Sequence, residues 1–202
     1  MKDVNILFFG DSITYGASDI ELGGFVNRVR LYLESNNNRD IRVFNMGIGG
    51  ETTTEVLKRI EVETKSRFRV NDDTILIFSI GINDTQNINR IDRITIDQFK
   101  SNINELINKA KKFTDNIIFI GLTNIDEERL SPTPWNINKS YSNSKVNLFD
   151  NTIEERCLKN NIKYIKVNGL LDKLELKDGL HPTSSGHKKL ADKLIESLEE
   201  ML

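Results

Sequence analysis

An α/β fold, a three-layer sandwich with a five-stranded parallel sheet between two helical layers, is the architecture this sequence predicts. Five short apolar runs of β-branched and aromatic residues are nearly continuous in apolar character, as strands buried on both faces of a parallel sheet are. The longer segments between them carry apolar residues at steps of three and four, the spacing of a helix with one buried face. The two kinds of segment alternate along the chain with no internal repeat, low-complexity tract or linker, so residues 1–202 read as one domain.

The first strand is centred on Ile6-Leu7-Phe8-Phe9, and a helix over Phe25 to Leu33 follows. The second strand runs from Ile41 to Met46. A weaker helical face follows it in Val56, Leu57, Ile60 and Phe68. Ile75 to Phe78 is the third strand, and Ile96, Phe99, Ile103, Leu106, Ile107 and Ala110 then form the clearest apolar stripe. The fourth strand is Ile117 to Leu122. Val146, Phe149, Ile153 and Cys157 mark the next helix, on whose apolar face the only cysteine reads as core. Tyr164 to Val167 is the fifth strand, and Leu190, Ala191, Leu194, Ile195, Leu198 and Leu202 line the last helix. One connection breaks the rhythm. Thr123 to Ser142 has no periodicity and contains Pro132, Thr133, Pro134 and Trp135. Loops this long are uncommon in compact domains and often functional.

Composition narrows the function. Lys and Arg number 28 and Asp and Glu 30, a net charge of -2. Nucleic-acid binders usually carry a basic excess, and anionic membranes attract basic segments, so neither partner is expected. One cysteine allows no internal disulfide, and two histidines make a His/Cys metal site expensive in ligands. No run approaches the roughly 20 apolar residues of a membrane span. The start lacks the basic, long-apolar and small-residue pattern of a signal peptide, so a cytoplasmic protein without a stable membrane anchor is expected.

Open parallel sheets bind ligands at the C-terminal ends of their strands, so chemistry is sought just after each strand. After the first comes Gly10-Asp11-Ser12-Ile13, where Ser12 is either an exposed nucleophile or part of a turn capping the next helix. After the second comes Asn45-Met46-Gly47-Ile48-Gly49-Gly50-Glu51-Thr52. Its glycines let backbone amides approach a ligand, or simply make a tight turn; a dinucleotide loop would need G-x-G-x-x-G after the first strand. Ser79-Ile80-Gly81-Ile82-Asn83-Asp84 follows the third strand, with Asn83 either an oxyanion donor or an Asx-turn. Asp178-Gly179-Leu180-His181 follows the fifth. There the carboxylate either orients the imidazole or makes a surface pair with it. His187, at the start of the last helix, reads as a solvent-facing or capping residue.

Together these blocks, in this order, resemble the SGNH hydrolase superfamily, the GDSL-type esterases and lipases. Its Gly-Asp-Ser, glycine, Gly-x-Asn-Asp and Asp-x-x-His blocks correspond to Gly10-Asp11-Ser12, Gly47 to Gly50, Gly81-Ile82-Asn83-Asp84 and Asp178 to His181. Ile13 replaces the eponymous leucine. The resemblance implies a flavodoxin-like sandwich and a serine esterase without metal or organic cofactor. Ser12 is then the nucleophile, His181 its base and Asp178 the group that orients His181. The oxyanion hole comprises the backbone N–H of Ser12, that of Gly50 (with Gly49 the alternative) and the side chain of Asn83. Asp11 and Asp84 support the loops. Tyr15, Phe25 and Trp135 are expected to line an acyl pocket, Trp135 alternatively anchoring its loop on the core. The expected substrate is a small soluble ester, uncharged to judge by the near-neutral chain. Lysophospholipids, acyl thioesters and acetylated sugars are alternatives. From other classes come a metal-dependent phosphoesterase built on Asp11, Asn83, Asp84, Asp178 and His181, and a non-catalytic binding module.

Overall fold

The computed structural model describes residues 2–36 and 40–202. Its central sheet holds β1 (Val4–Gly10), β2 (Ile41–Gly47), β3 (Asp73–Ser79), β6 (Ile117–Ile120) and β8 (Lys163–Ile165), in the order β2-β1-β3-β6-β8 with every pairing parallel. This is the flavodoxin-like order. The chain runs to one edge with β2 and returns to β3 on the other side of β1, so a crevice opens at the C-terminal ends of β1 and β3. Gly10 sits beside Gly47 and Ser79 in register, which brings the three following loops to one edge.

β1 is buried along its whole length, and this explains its unbroken apolar character. Its neighbouring side chains serve opposite layers. Phe8 meets Phe25 of α2 (Phe25–Asn36), which packs on α7 (Ser184–Glu199). Phe9 lies under Arg59 of α3 (Thr53–Arg67), in the layer that also holds α4 (Ile96–Ala110) and α6 (Asn143–Asn160). On that second face Phe9, Phe78, Phe119 and Tyr164 are successive register partners across four strands. Phe9 and Phe78 stack with centroids 5.8 Å apart, and Phe78 and Phe119 at 4.8 Å. Such cross-strand aromatic pairs add about 0.5–1.5 kcal/mol each beyond area burial. Helix starts follow local chemistry: Thr52 and Glu55 form a capping box on α3, while Thr95 and Thr183 cap α4 and α7.

The five strands and the five long helices lie where the sequence predicts them, with small shifts. α2 continues to Asn36, and the last strand ends at Ile165. Val167 is buried beyond the ladder, so burial and not strand pairing accounts for its apolar character.

Three features were not expected. A four-residue helix α1 (Ser12–Tyr15) follows β1 and stops at Gly16, whose φ is 101°. The segment from Thr123 to Ser142 is not structureless: it holds α5 (Glu127–Leu130) and β7 (Lys139–Ser140). β7 joins β4 (Asn87–Ile88) and β5 (Ile91–Asp92) in a small antiparallel sheet ordered β5-β4-β7. No helix among the described residues is long and apolar enough to cross a membrane.

Candidate active site

Ser12 stands at the first position of α1, immediately beyond the end of β1. Gly10 makes this turn possible. A Cβ there would lie 2.0 Å from Thr14 Oγ1 and 2.3 Å from the Ser79 carbonyl oxygen, the pair that ties α1 to β3 through a 3.1 Å hydrogen bond. Asp11 caps the short helix by accepting the Ile13 N–H.

Ser12 Oγ lies 2.9 Å from His181 Nε2, and His181 Nδ1 lies 2.7 Å from Asp178 Oδ2. Residues 169 positions apart thus form a continuous Ser-His-Asp chain. The Asp178 carboxylate divides its work. Oδ1 accepts the backbone N–H groups of Leu180 and His181 and shapes the turn, while Oδ2 faces the ring. Burial raises the Asp178 carboxyl, but the His181 ring and these N–H groups outweigh it and hold the pKa at about 2. Asp178 therefore stays ionised at neutral pH, beside the nitrogen whose N–H it can accept.

The turn is clamped from outside by the segment that had no periodicity. Arg129 donates to the carbonyls of Leu176 and Lys177, and the Asp126 N–H donates to the Gly179 carbonyl.

Opposite His181 lie three N–H groups. The backbone N–H of Ser12 and that of Gly50 have no hydrogen-bond acceptor among the described residues. Gly50 has a φ of 81°, a conformation that favours glycine, and a Cβ there would meet nothing within 4 Å, so its requirement is conformational. Asn83 begins the short 3₁₀ turn after β3 and donates one Nδ2 hydrogen to the Glu51 carbonyl at 3.0 Å, leaving the other available. The Glu51 side chain is itself held by Arg59, which also donates to the Met46 carbonyl.

Two further residues hold these donors, and the sequence reading missed both. Tyr141, directly after β7, donates its hydroxyl to Asn83 Oδ1 at 3.2 Å and accepts from Gln86 Nε2 at 2.7 Å. This fixes the amide with its NH₂ toward the cleft. Arg93, directly after β5, donates to the Gly50 carbonyl at 2.8 Å. Ser12, Gly50, Asn83, Arg93, Tyr141 and His181 line one cleft of about 250 Å³, which Trp135 borders. Gly49 is not in that lining. Sites for drug-sized ligands are about 300–1,000 Å³, and this cleft is slightly smaller.

Asp11 and Asp84 lie beneath the site and are fully buried. Desolvation raises each to about 7, and the charge of Asp11 adds to the shift on Asp84. Asp84 accepts the Thr53 N–H and hydroxyl, pinning the loop after β3 to the start of α3. Among the described residues no group of three or more His, Cys, Asp or Glu side chains is placed to hold a metal ion.

Three expectations are corrected. Tyr15 is 64% exposed and borders a separate groove with Asp19, Asn27 and Asn45, because α1 ends at Tyr15 and the left-handed Gly16 after it turns the chain away. Phe25 is not at the cleft either. It is 1% exposed and packs between Phe8 and His187 at the start of the apolar face of α2. His187 is not solvent-facing and does not cap its own helix: it is fully buried, with Nδ1 accepting the N–H of Phe25, the first residue of α2, and Nε2 donating to the Ala17 carbonyl. Trp135 does border the cleft. It is 47% exposed, with its ring centroid 6.1 Å from that of His181, so it forms a wall and not a core anchor.

Comparison with known proteins identifies the family and the fold. The model of the GDSL-like lipase/acylhydrolase family matches residues 8–189. Among solved structures, a lipase/acylhydrolase from Enterococcus faecalis superposes with a TM-score of 0.80 at 22% identity, covering 100% of this chain and 97% of that one. An acetyl xylan esterase from Geobacillus stearothermophilus (a W215I variant) gives 0.75 at 20% identity, covering 96% and 94%. An α/β hydrolase from the metagenome of Lake Arreo, Spain, gives 0.74 at 17% identity, covering 98% and 95%. A search of curated proteins found no significant match. The family match spans nearly the whole chain, from the first strand to the last helix, and on it the chain belongs to the GDSL-like lipase/acylhydrolase family of carboxylic ester hydrolases.

Proposed function

We propose that the protein is a serine esterase that cleaves short-chain esters through an acyl-enzyme. The observation that carries this is the hydrogen-bonded chain from Ser12 Oγ through His181 to Asp178, facing three N–H donors across one small cleft. Ser12 Oγ attacks the ester carbonyl while His181 Nε2 takes its proton, since a free hydroxyl is a weak nucleophile at neutral pH. The carbonyl oxygen becomes an oxyanion held by the N–H groups of Ser12, Gly50 and Asn83. Asp178 stabilises the imidazolium that forms. His181 then protonates the departing alcohol, which leaves the acyl group on Ser12. Water, deprotonated by His181, attacks that ester in turn and releases the acid. Asp11 and Asp84 hold the loops.

The size of the cleft supports short acyl groups. The shared fold with an acetyl xylan esterase supports an O-acetylated carbohydrate as one form of such a substrate. A cytoplasmic location is proposed from the sequence. The test is hydrolysis of p-nitrophenyl acetate and butyrate by the purified protein and by Ser12→Ala and His181→Ala. Turnover by the wild type with loss in both variants is expected. Undiminished turnover by Ser12→Ala overturns the mechanism.

A further inference from the structure

The lining of the cleft contains two cations, Arg93 and Lys139, and no carboxylate. Both are half-buried, and both come from the small sheet: Lys139 lies in β7 and Arg93 follows β5. No acid among the described residues pairs with either cation within 4.0 Å, although the charge of Arg93 reaches Glu55 and Asp84. Asp92 pairs with Lys145, Glu51 with Arg59 and Asp178 with His181, while Glu55 is spent on the backbone N–H and hydroxyl of Thr52. Arg93 gives one N–H to the Gly50 carbonyl and one, at 3.4 Å, to Gln86 Oε1. A guanidinium has five donors, so three remain. Lys139 makes no ion pair within 4.0 Å among the described residues, whereas exposed lysines such as Lys112 and Lys188 do. A protein of net charge -2 thus presents a locally positive cleft around its nucleophile.

We propose that Arg93 and Lys139 select esters that carry an anionic group, a carboxylate or a phosphate, within a few bonds of the scissile carbonyl. The proposal rests on Ser12 being the nucleophile. The contact of Arg93 with the Gly50 carbonyl fixes the distance scale. The guanidinium sits one peptide group from the N–H that would hold the oxyanion, so the anion it binds lies close to the reacting carbonyl. Arg93 meets a planar anion with its fork, and Lys139 adds a point charge. Partial burial limits screening of both. Trp135 offers an apolar wall to the carbon chain between the anion and the ester. The uncharged substrate inferred from net charge is replaced by one that matches the local field.

The anion could belong to the acyl half or to the alcohol half, and two substrate pairs separate these. For the acyl half, p-nitrophenyl hydrogen glutarate is compared with its carboxamide isostere. For the alcohol half, 2-acetoxyethyl phosphate is compared with 2-acetoxyethanol. In each pair the ratio of kcat/KM, anionic to neutral, is measured after subtraction of spontaneous hydrolysis, for the wild type and for Lys139→Glu. The ratio cancels any general loss in the variant. Turnover of the neutral members reports on the esterase reading separately.

The expected result is a wild-type ratio above about ten in at least one pair, the scale of one charge-assisted hydrogen bond, and at least a tenfold fall of that ratio in Lys139→Glu. Ratios near one in both pairs overturn the proposal, as does a high ratio that Lys139→Glu leaves unchanged.

Discussion

The hydroxyl of Tyr141 is the most informative group to remove, because it touches the oxyanion donor and not the Ser-His-Asp chain. In Tyr141→Phe the aromatic ring keeps its buried place, while Asn83 Oδ1 and Gln86 Nε2 each lose a partner. An unsatisfied buried polar group costs about 1–3 kcal/mol, so the melting temperature falls. The effect on rate is separate. Asn83 is then held only by its bond to the Glu51 carbonyl, a net contribution of about 1 kcal/mol, and its amide is free to leave the orientation that aims Nδ2 at the cleft. A loss of about 1.4 kcal/mol of transition-state stabilisation is tenfold in kcat. Deleting an oxyanion donor outright costs about 10²–10³. A double-mutant cycle with Asn83→Ala on p-nitrophenyl acetate separates positioning from general damage. Tyr141→Phe is expected to lower kcat about tenfold in the wild-type background and less than twofold in Asn83→Ala. Equal losses in both backgrounds would refute the positioning argument.

Asn83→Ala itself is expected to lower kcat by about 10²–10³ with KM nearly unchanged, since the bond it makes strengthens as the oxyanion forms. Steady-state kinetics over a range of ester concentrations checks this, and a loss confined to KM contradicts it. His187 supplies a test of stability against pH. Burial pushes its pKa below the usual value, with the Ala17 carbonyl partly offsetting this. The folded state therefore prefers neutral His187, and this contribution is complete above the unfolded pKa of about 6.5 and declines as pH falls below it. Asp11 and Asp84, raised to about 7, act with the opposite sign: their contribution is present at low pH and is lost as pH rises toward 7. The difference in melting temperature between wild type and His187→Gln removes those shared terms. It is expected to be largest at pH 7.5 and to shrink by pH 5; a constant difference contradicts the buried neutral assignment.

The central sheet was legible because its strands are buried on both faces and connected by amphipathic helices. The apolar runs at Ile6, Ile75 and Ile117 therefore announce themselves without knowledge of their neighbours. The four blocks after those strands were legible because turns and ligand-facing loops there need glycine, asparagine and aspartate at fixed places. The small sheet was not. Its strands are two residues long, and its β4–β5 turn uses Asn89 and Arg90 at positive φ without the glycine that usually marks such a turn. With it went Arg93 and Tyr141, whose partners Gly50 and Asn83 are 43 and 58 positions away. Tyr15 was misplaced because the length of α1 is set by Gly16 and not by any apolar period. A signal for Phe25 did exist: with Val26, Val29 and Leu33 it completes the buried stripe of α2, which marks it as core. His187 carried no such signal, because a histidine between a glycine and two lysines has the sequence context of a solvated turn.

A fluorophosphonate reads out whether Ser12 is the nucleophile, because the probe phosphonylates only an activated serine. The protein is treated with the probe, digested, and the modified peptide is located by mass spectrometry. The expected result is a single adduct on Ser12, absent from Ser12→Ala and strongly reduced in His181→Ala. An adduct on another serine, or labelling that persists in Ser12→Ala, would contradict the account.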